Sequence, residues 1–336
     1  MEGQLIVQAW QVVQHGDPTT ALKLVDIEAP RPGPGEVRLR VHATALGMPD
    51  AFMCKATYAL TPPLPFVPGQ EMCGTVLEVG AGVKVTPGTR VMGVTSFTDG
   101  RGGFADETVA PENSLYTVPE SMSDVDAAGF RIGYSTAWIG LVRRGALQPG
   151  EVLLVLGAAG GSGATAIQLG RALGARVIAV AGGTEKVEYC KSLGADVVID
   201  RTQVDEVSTA VREATDDRGA DVIYDPVGGD PARDAMRCIA TGGRFLLVGF
   251  ASGRWAEFDA PHLVRRNYSV VGVYAGGYTR AENLHDHAEL VALYEKGQLP
   301  GRIVTHTAPF AELPAALEEV ARGRAVGKTV LLPREP

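Results

Sequence analysis

Two hydrophobic rhythms divide the chain. Over its first third, short apolar or alternating runs recur at residues 5–13, 22–27, 36–43, 73–79, 90–94 and 105–110. Turn-forming clusters separate them, among them Pro30-Arg31-Pro32-Gly33-Pro34-Gly35, Gly80-Ala81-Gly82 and Pro87-Gly88. Many short strands with frequent turns predict a compact β-barrel or sandwich. From residue 127 the rhythm changes. Apolar runs at 152–156, 177–181, 197–200, 221–225 and 244–248 alternate with helical stretches that include 185–193, 204–214 and 231–239. A sixth run, 269–273, follows a longer connection. This alternation predicts an α/β, doubly wound parallel sheet with its ligand crevice beyond the strand C-termini. A helix over 281–296 leads into a tail with two more strand-like pieces, 302–307 and 328–332, expected to pack back onto the first domain.

The run from Gly150 to Arg171 is the centre of that second pattern. Residues 152–156 are uniformly apolar, as a parallel strand buried on both faces would be. Gly157, Ala158, Ala159, Gly160, Gly161, Ser162 and Gly163 follow, then a helical stretch over 161–174 and the next strand at 176–181. Glycines three apart let the backbone turn sharply and approach a ligand without Cβ atoms in the way. The free N–H groups at the start of the helix then form a site for a pyrophosphate. A lone glycine triplet also occurs in ordinary tight turns. Here it sits inside a βαβ unit of about 30 residues, the context that a dinucleotide site requires.

Composition narrows the class further. The 336 residues suffice for two domains, 45% are hydrophobic and 21% charged, as in an ordinary globular protein. A net charge of −8 argues against a nucleic-acid or anionic-membrane surface. With no apolar run long enough to span a bilayer and no signal-peptide pattern, the expected location is cytoplasmic. Cys54, Cys73, Cys190 and Cys238 have no paired spacing and are expected as reduced core residues.

Beyond the glycine turn, Gly69-Gln70-Glu71 with Gly74 and Gly80, Gly133-Tyr134-Ser135-Thr136-Ala137-Trp138, Asp225-Pro226-Val227-Gly228-Gly229 and Gly249-Phe250-Ala251-Ser252-Gly253 form a connected set. Together they resemble the zinc-independent NADPH:quinone oxidoreductase and ζ-crystallin family of the medium-chain dehydrogenase/reductase superfamily, over nearly the whole chain. The resemblance implies a GroES-like β-barrel domain, 1–126 completed by 278–336, joined to a Rossmann domain, 127–277. Zinc alcohol dehydrogenases of that superfamily use an early cysteine and the histidine of a Gly-His-Glu motif as ligands. The corresponding places here hold Gly47 or Met48 and Gln70, so no catalytic zinc and no metal site are expected. The six histidines, His15, His42, His262, His285, His287 and His306, do not have metal-ligand spacing.

An NAD site normally carries an acidic residue at the end of the second strand, for the ribose hydroxyls. This chain has Ala181-Gly182-Gly183-Thr184-Glu185-Lys186 instead. The small residues at Gly182 leave room for a 2′-phosphate that Lys186 would neutralise, with Arg201 a second cation, so NADPH is the expected cofactor. The competing reading makes Thr184 a helix cap, the two cations solvated and Glu185 a displaced ribose ligand. From the resemblance, Thr136, Val227, Phe250, Ala251 and Tyr274 would contact the nicotinamide half, Tyr134 would lie near the phosphates, and Lys328 would reach the cofactor.

Residues 47–58 resemble the family's Asn-x-x-Asp segment and its downstream tyrosine, with Gly47 in the asparagine position. Asp50 is either a catalytic carboxylate or a loop carboxylate accepting backbone N–H groups. Tyr58 is either a proton donor, as in related enoyl-thioester reductases, or a wall of the acceptor pocket. Without a metal to polarise a carbonyl, the expected acceptors are quinones and α,β-unsaturated carbonyls. The alternatives are an enoyl-thioester reductase and a non-catalytic NADPH-binding protein. The run 269–273 would lie at a sheet edge and invite a second copy to form a homodimer.

Overall fold

The computed structural model describes residues 5–299 and 302–333, and the chain falls into two compact units. Unit 1 comprises Met1–Ile132 with Ile303–Pro336, and unit 2 comprises Gly133–Arg302. Residues 1–4, 300, 301 and 334–336, parts of the domain ranges expected from sequence, lie outside the described residues.

Unit 1 is built on β1 (Ile6–Val12), β2 (Leu22–Glu28), β3 (Glu36–Ala45), β4 (Glu71–Val79), β5 (Arg90–Val94), β6 (Glu107–Pro111) and β7 (Leu115–Thr117). β1 and β2 pair antiparallel on their own. β3 is the central strand of the rest. One edge pairs with β4 along its length, while the other is shared by β6 along residues 36–40 and by the C-terminal strand at Thr44 and Ala45. Its alternation follows from the period of two: Val37, Leu39, Val41 and Ala43 point into the core. Gly74 of β4 is required by that pairing, because a Cβ there would stand 2.2 Å from the Arg40 carbonyl oxygen.

Three helices of unit 1 were not expected from the sequence: α1 (Pro18–Ala21), α2 (Met48–Cys54) and one near the C-terminus, Leu313–Ala321. A fourth, α3 (Asp124–Trp138), begins in unit 1, and the division between the units falls within it.

Unit 2 carries β8 (Val152–Val155), β9 (Arg176–Ala181), β10 (Val197–Asp200), β11 (Ala220–Asp225), β12 (Ile239–Leu247) and β13 (Ser269–Gly272). They form one parallel sheet in the order β10-β9-β8-β11-β12-β13. That is the doubly wound order, whose strand sequence reverses between β8 and β11. Between the strands run α4 (Gly161–Ala172), α5 (Thr184–Ser192), α6 (Val207–Ala214), α7 (Gly229–Met236) and α8 (Ala260–Arg266). The core is largely aliphatic, with Val152, Leu154, Ile178 and Ile223, and the aromatic Phe245 and Tyr268 join it.

Both boundaries differ from the expected 126/127 and 277/278, the first falling at 132/133 and the second at 302/303. The helix α9 (Arg280–Glu295), expected with the barrel, belongs to unit 2. A partly buried ion pair ties α9 to unit 2. Arg143 donates from Nε and Nη2 to the two Asp286 oxygens at 2.7 and 2.8 Å, and Asp286 is only 2% exposed. The chain returns to unit 1 with β14 (Val304–Pro309), α10 (Leu313–Ala321) and β15 (Lys328–Leu332). Phe310, Leu313, Leu317 and Leu331 fill the same core as Ala9, Met53 and Phe104. All four cysteines are buried thiols, and burial pushes Cys54, Cys190 and Cys238 up to about 12.

Candidate functional site

In unit 2 the turn after β8 has the shape that the glycines predict. Gly157 has φ +55, and Gly163 packs α4 directly on that turn: a Cβ at Gly163 would meet the Gly157 carbonyl oxygen at 2.5 Å and Ala158 Cα at 2.6 Å. The first helical bond runs from Ala164 N–H to the Gly160 carbonyl at 2.8 Å. The N–H groups of Gly161, Ser162 and Gly163 therefore face outward at the helix start, the arrangement that receives an anion. Ala158 and Ala159 are buried and offer only backbone. The Ser162 hydroxyl lies 2.8 Å from the Tyr224 hydroxyl, which ties the turn to β11.

The loops after β11 and β12 converge on the same place. A Cβ on Gly157 would be 2.8 Å from Val227 Cγ2. Ala251 N–H donates to the Pro226 carbonyl at 3.1 Å and Ser252 N–H to the Val227 carbonyl at 2.9 Å. Phe250 stacks on Trp255 with centroids 4.7 Å apart. Asp225, missed in sequence as a functional group, organises this loop: its Oδ1 accepts from Val227 and Gly228 N–H at 2.8 and 2.9 Å. Burial raises its carboxyl to about 6. Its place at the head of Asp225-Pro226-Val227-Gly228-Gly229 was the signal available in the sequence.

At the end of β9 two cations meet. The Arg201 guanidinium lies across Gly182, so that a Cβ there would be 2.9 Å from Arg201 Nε. Lys186 is held below its usual range by burial and by the neighbouring Arg201 charge. The nearby acid, Asp200, spends Oδ1 on Gly183 N–H at 3.0 Å and on Thr202 at 2.9 and 2.7 Å. Thr184 is not a helix cap, since that position belongs to Gly183 and Thr184 opens α5.

The other expected residues lie as follows. Tyr134 is fully buried with its hydroxyl on Gln168 Oε1. Thr136 is half-buried in α3, and Tyr274 stands 65% exposed after β13. Lys328, expected to reach a cofactor, is buried in unit 1, where its ammonium pairs with Glu71 Oε2 and donates to the Gly129 carbonyl at 3.1 Å. No pattern in sequence could pair residues 257 apart.

Also in unit 1, Asp50 opens α2 and is 1% exposed. It accepts from Gly47 N–H at 2.9 Å, from Gly69 N–H at 3.1 Å and from the Gln70 backbone. Burial raises its carboxyl to about 7 against those donors. Of its two sequence readings, this geometry matches the loop carboxylate. Tyr58 packs against the core cluster of unit 1.

The comparisons with known proteins bear on both units. The family model described as the alcohol dehydrogenase GroES-like domain matches residues 33–120, and that described as zinc-binding dehydrogenase matches 161–292. Quinone oxidoreductase-like protein 2 homolog of Nematostella vectensis is 36% identical over 89% of this chain and 82% of that protein. The chain belongs to the quinone oxidoreductase family of the medium-chain dehydrogenase/reductase superfamily. The pig (Sus scrofa) quinone oxidoreductase is 28% identical over 98% of this chain and 99% of its own. A solved structure, mycobacterial Rv1454c complexed with NADPH, superposes with a TM-score of 0.89 at 28% identity, over 97% of this chain and 100% of that one. As a member of this family the chain is an NAD(P)-dependent oxidoreductase. No helix among the described residues is long and apolar enough to cross a membrane. No group of three or more His, Cys, Asp or Glu among them could hold a metal.

Proposed function

We propose that this quinone oxidoreductase family member reduces quinones or related α,β-unsaturated carbonyls with NADPH as the reductant, without zinc and as a homodimer. The single observation that carries the cofactor choice is the pair of cations at the end of β9, where an NAD site would hold an acid. Lys186 and Arg201 repel one another, and a 2′-phosphate set against them relieves that repulsion. The residues present fit the cofactor, because Gly160 and Gly161 carry no side chain over the turn, the side chains of Ala158 and Ala159 are buried, and the first N–H groups of α4 are left for an anion. Bound there, NADPH supplies the hydride.

The chain's own residues do the rest. Gly161, Ser162 and Gly163 present N–H groups to the pyrophosphate. Gly182 keeps side-chain bulk away from the Arg201 guanidinium, and Asp225 fixes the Val227 loop above the glycine turn. A metal-free reaction is supported by Gly47, Met48 and Gln70, none a zinc ligand, at the places where zinc relatives carry cysteine and histidine. That choice of residues favours acceptors already electron-poor. The homodimer reading rests on β13, an edge strand of the parallel sheet.

The test is oxidation of NADPH and NADH against benzoquinone, naphthoquinone, an alkyl enone and crotonyl-CoA, with and without a chelator. Chelator-resistant turnover of quinones or the enone with NADPH is expected. Lys186→Ala should raise the KM for NADPH about tenfold, equivalent to about 1.4 kcal/mol, and leave that for NADH within twofold. Turnover of the thioester alone, or a preference for NADH, would overturn the corresponding part of the reading.

A further inference from the structure

Within unit 2, a cleft of about 340 Å³ lies where three helices end. Gln168, Arg171 and Ala172 of α4 line it, with Leu193, the C-cap of α5, and Gly297 and Gln298, just past α9. Its volume is in the range of small-molecule sites, and no acidic residue is among those that line it.

Gln168 is 1% exposed. Its Oε1 accepts from the Tyr134 hydroxyl, which fixes the way the carboxamide faces, and its Nε2 has no acceptor among the described residues. Of the buried side chains with such an orphaned atom, Gln168 is the one that also lines this cleft. A buried N–H without a partner is unfavourable, and a cleft at the same residue admits an acceptor from outside. Arg171, three residues along the same helix face, is a second donor. Its Nη1 donates to the Gly194 carbonyl at 2.6 Å, which uses one of its five N–H groups. Asp196 Oδ1 stands 4.0 Å from that nitrogen, beyond hydrogen-bond distance.

The helix ends have the opposite character. Each closes on a left-handed glycine: Gly174 after α4 at φ +80, Gly194 after α5 at φ +93 and Gly297 after α9 at φ +70. Carbonyls of the last turns are taken up there, as where Leu293 and Tyr294 accept from Gln298 and Gly297 N–H, both at 2.9 Å. What each end still offers is its partial negative charge, which favours a cation.

We propose that this cleft binds a free α-amino acid with a small aliphatic side chain. The carboxylate accepts from Gln168 Nε2 and the Arg171 guanidinium, the ammonium lies in the negative field of the helix ends, and the side chain packs on Leu193 and Ala172. A simple anion would be repelled by the helix ends, and a simple cation would leave both donors unpaired. The site is separate from the dinucleotide cradle, since Gln168 lies about 9 Å further along the helix axis than Ser162.

The experiment is calorimetric titration of the full-length protein with L-alanine, L-valine and L-leucine, alone and with saturating NADPH or NADH. A single saturable site is expected for at least one of the three, with an affinity that the dinucleotides leave within about threefold. The N-acetyl form of that amino acid, which lacks the ammonium, and its amide, which lacks the carboxylate, should each bind about tenfold more weakly or worse. Arg171→Gln removes the guanidinium, and Ala172→Leu fills the cleft while keeping both donors; each should weaken binding by about tenfold or more. Gln168→Leu should do the same.

Silence with all three amino acids would overturn the inference. Displacement by a dinucleotide would move the ligand to the cradle and overturn the site. Equal binding of the N-acetyl form would overturn the ligand class in favour of a simple carboxylate or a peptide C-terminus. Unchanged affinity in Arg171→Gln and Ala172→Leu would overturn the location. Should Gln168→Leu not fold, since it takes an acceptor away from Tyr134, those two variants decide, because neither removes that bond.

Discussion

Burial raises Asp50 to about 7 and Asp225 to about 6, even though backbone N–H groups donate to both. The sign of the consequence follows from linkage. A carboxyl whose folded-state pKa exceeds its unfolded value, 3.8, contributes stability that is fully present below pH 3.8 and is lost as pH rises through the folded value. Carboxylates lowered by hydrogen bonds and charge, such as Glu151 beside Arg244, act the other way, and only as pH falls through the ordinary carboxylate range. The chain should therefore lose stability from about pH 5 to pH 8, measured as the urea midpoint at half-unit steps. Asp50→Asn should be less stable at pH 5, since its amide nitrogen cannot accept one of the backbone bonds, and should show a shallower decline. A wild-type midpoint that is flat or rising across the interval would rule out the raised pKa values. The sequence marked Asp50 as a residue of interest and left two roles open. Deciding between them took the positions of the Gly47, Gly69 and Gln70 N–H groups, which no local pattern encodes.

Most strands were legible because parallel and half-buried strands each write a simple period, whereas β7, three residues long, lay in no expected run. The β5, β10 and β15 ranges coincide with the expected runs, and β8, β9 and β11 differ by at most one residue. Helix α3 was not legible. Ala127, Ala128, Phe130, Tyr134 and Ala137 are all buried, so no polar stripe alternates with an apolar one to reveal a period of 3.6. Helix α2 was missed for a different reason, since its seven residues are too few to write a period of 3.6. The glycine turn can be tested with two substitutions of equal size. At Gly163 an added Cβ would meet backbone at 2.5 Å, whereas at Gly160 the nearest atom, the Gly157 carbonyl oxygen, is 3.4 Å away and φ is −84. Gly163→Ala should therefore cost about 1–3 kcal/mol, read as a drop in Tm of several degrees, and should weaken dinucleotide binding measured by fluorescence titration. Gly160→Ala should hold the wild-type Tm. Equal thermal stability in the two variants would mean that α4 does not pack on the turn as described.

The change of fold class along the chain was legible, while the unit boundaries fall at 132/133 and 302/303, because local rhythm locates a change of fold class but not long-range contacts such as that of Arg143 with Asp286. Assembly is likewise beyond what rhythm can fix, yet the sheet order narrows it. β13 pairs with β12 on one side only, which leaves a row of backbone donors and acceptors along its other edge. Its residues Val270 and Val271 are half-buried within a single chain, and Val264 of the preceding helix is 76% exposed. A second copy laid antiparallel along that edge would continue the sheet through a twofold axis and cover this apolar surface, with the same patch serving both protomers. Gly272 provides a substitution that separates assembly from folding. Nothing lies within 4 Å of a Cβ built there, so a side chain is accommodated in the single chain. Gly272→Lys places a charge at the exposed end of the edge strand, where it disfavours pairing with another strand. Light scattering at micromolar concentration should give a dimer mass for the wild type and a monomer mass for Gly272→Lys, with unchanged circular dichroism. A monomeric wild type would remove the homodimer, and a variant that stays dimeric would move the interface away from β13.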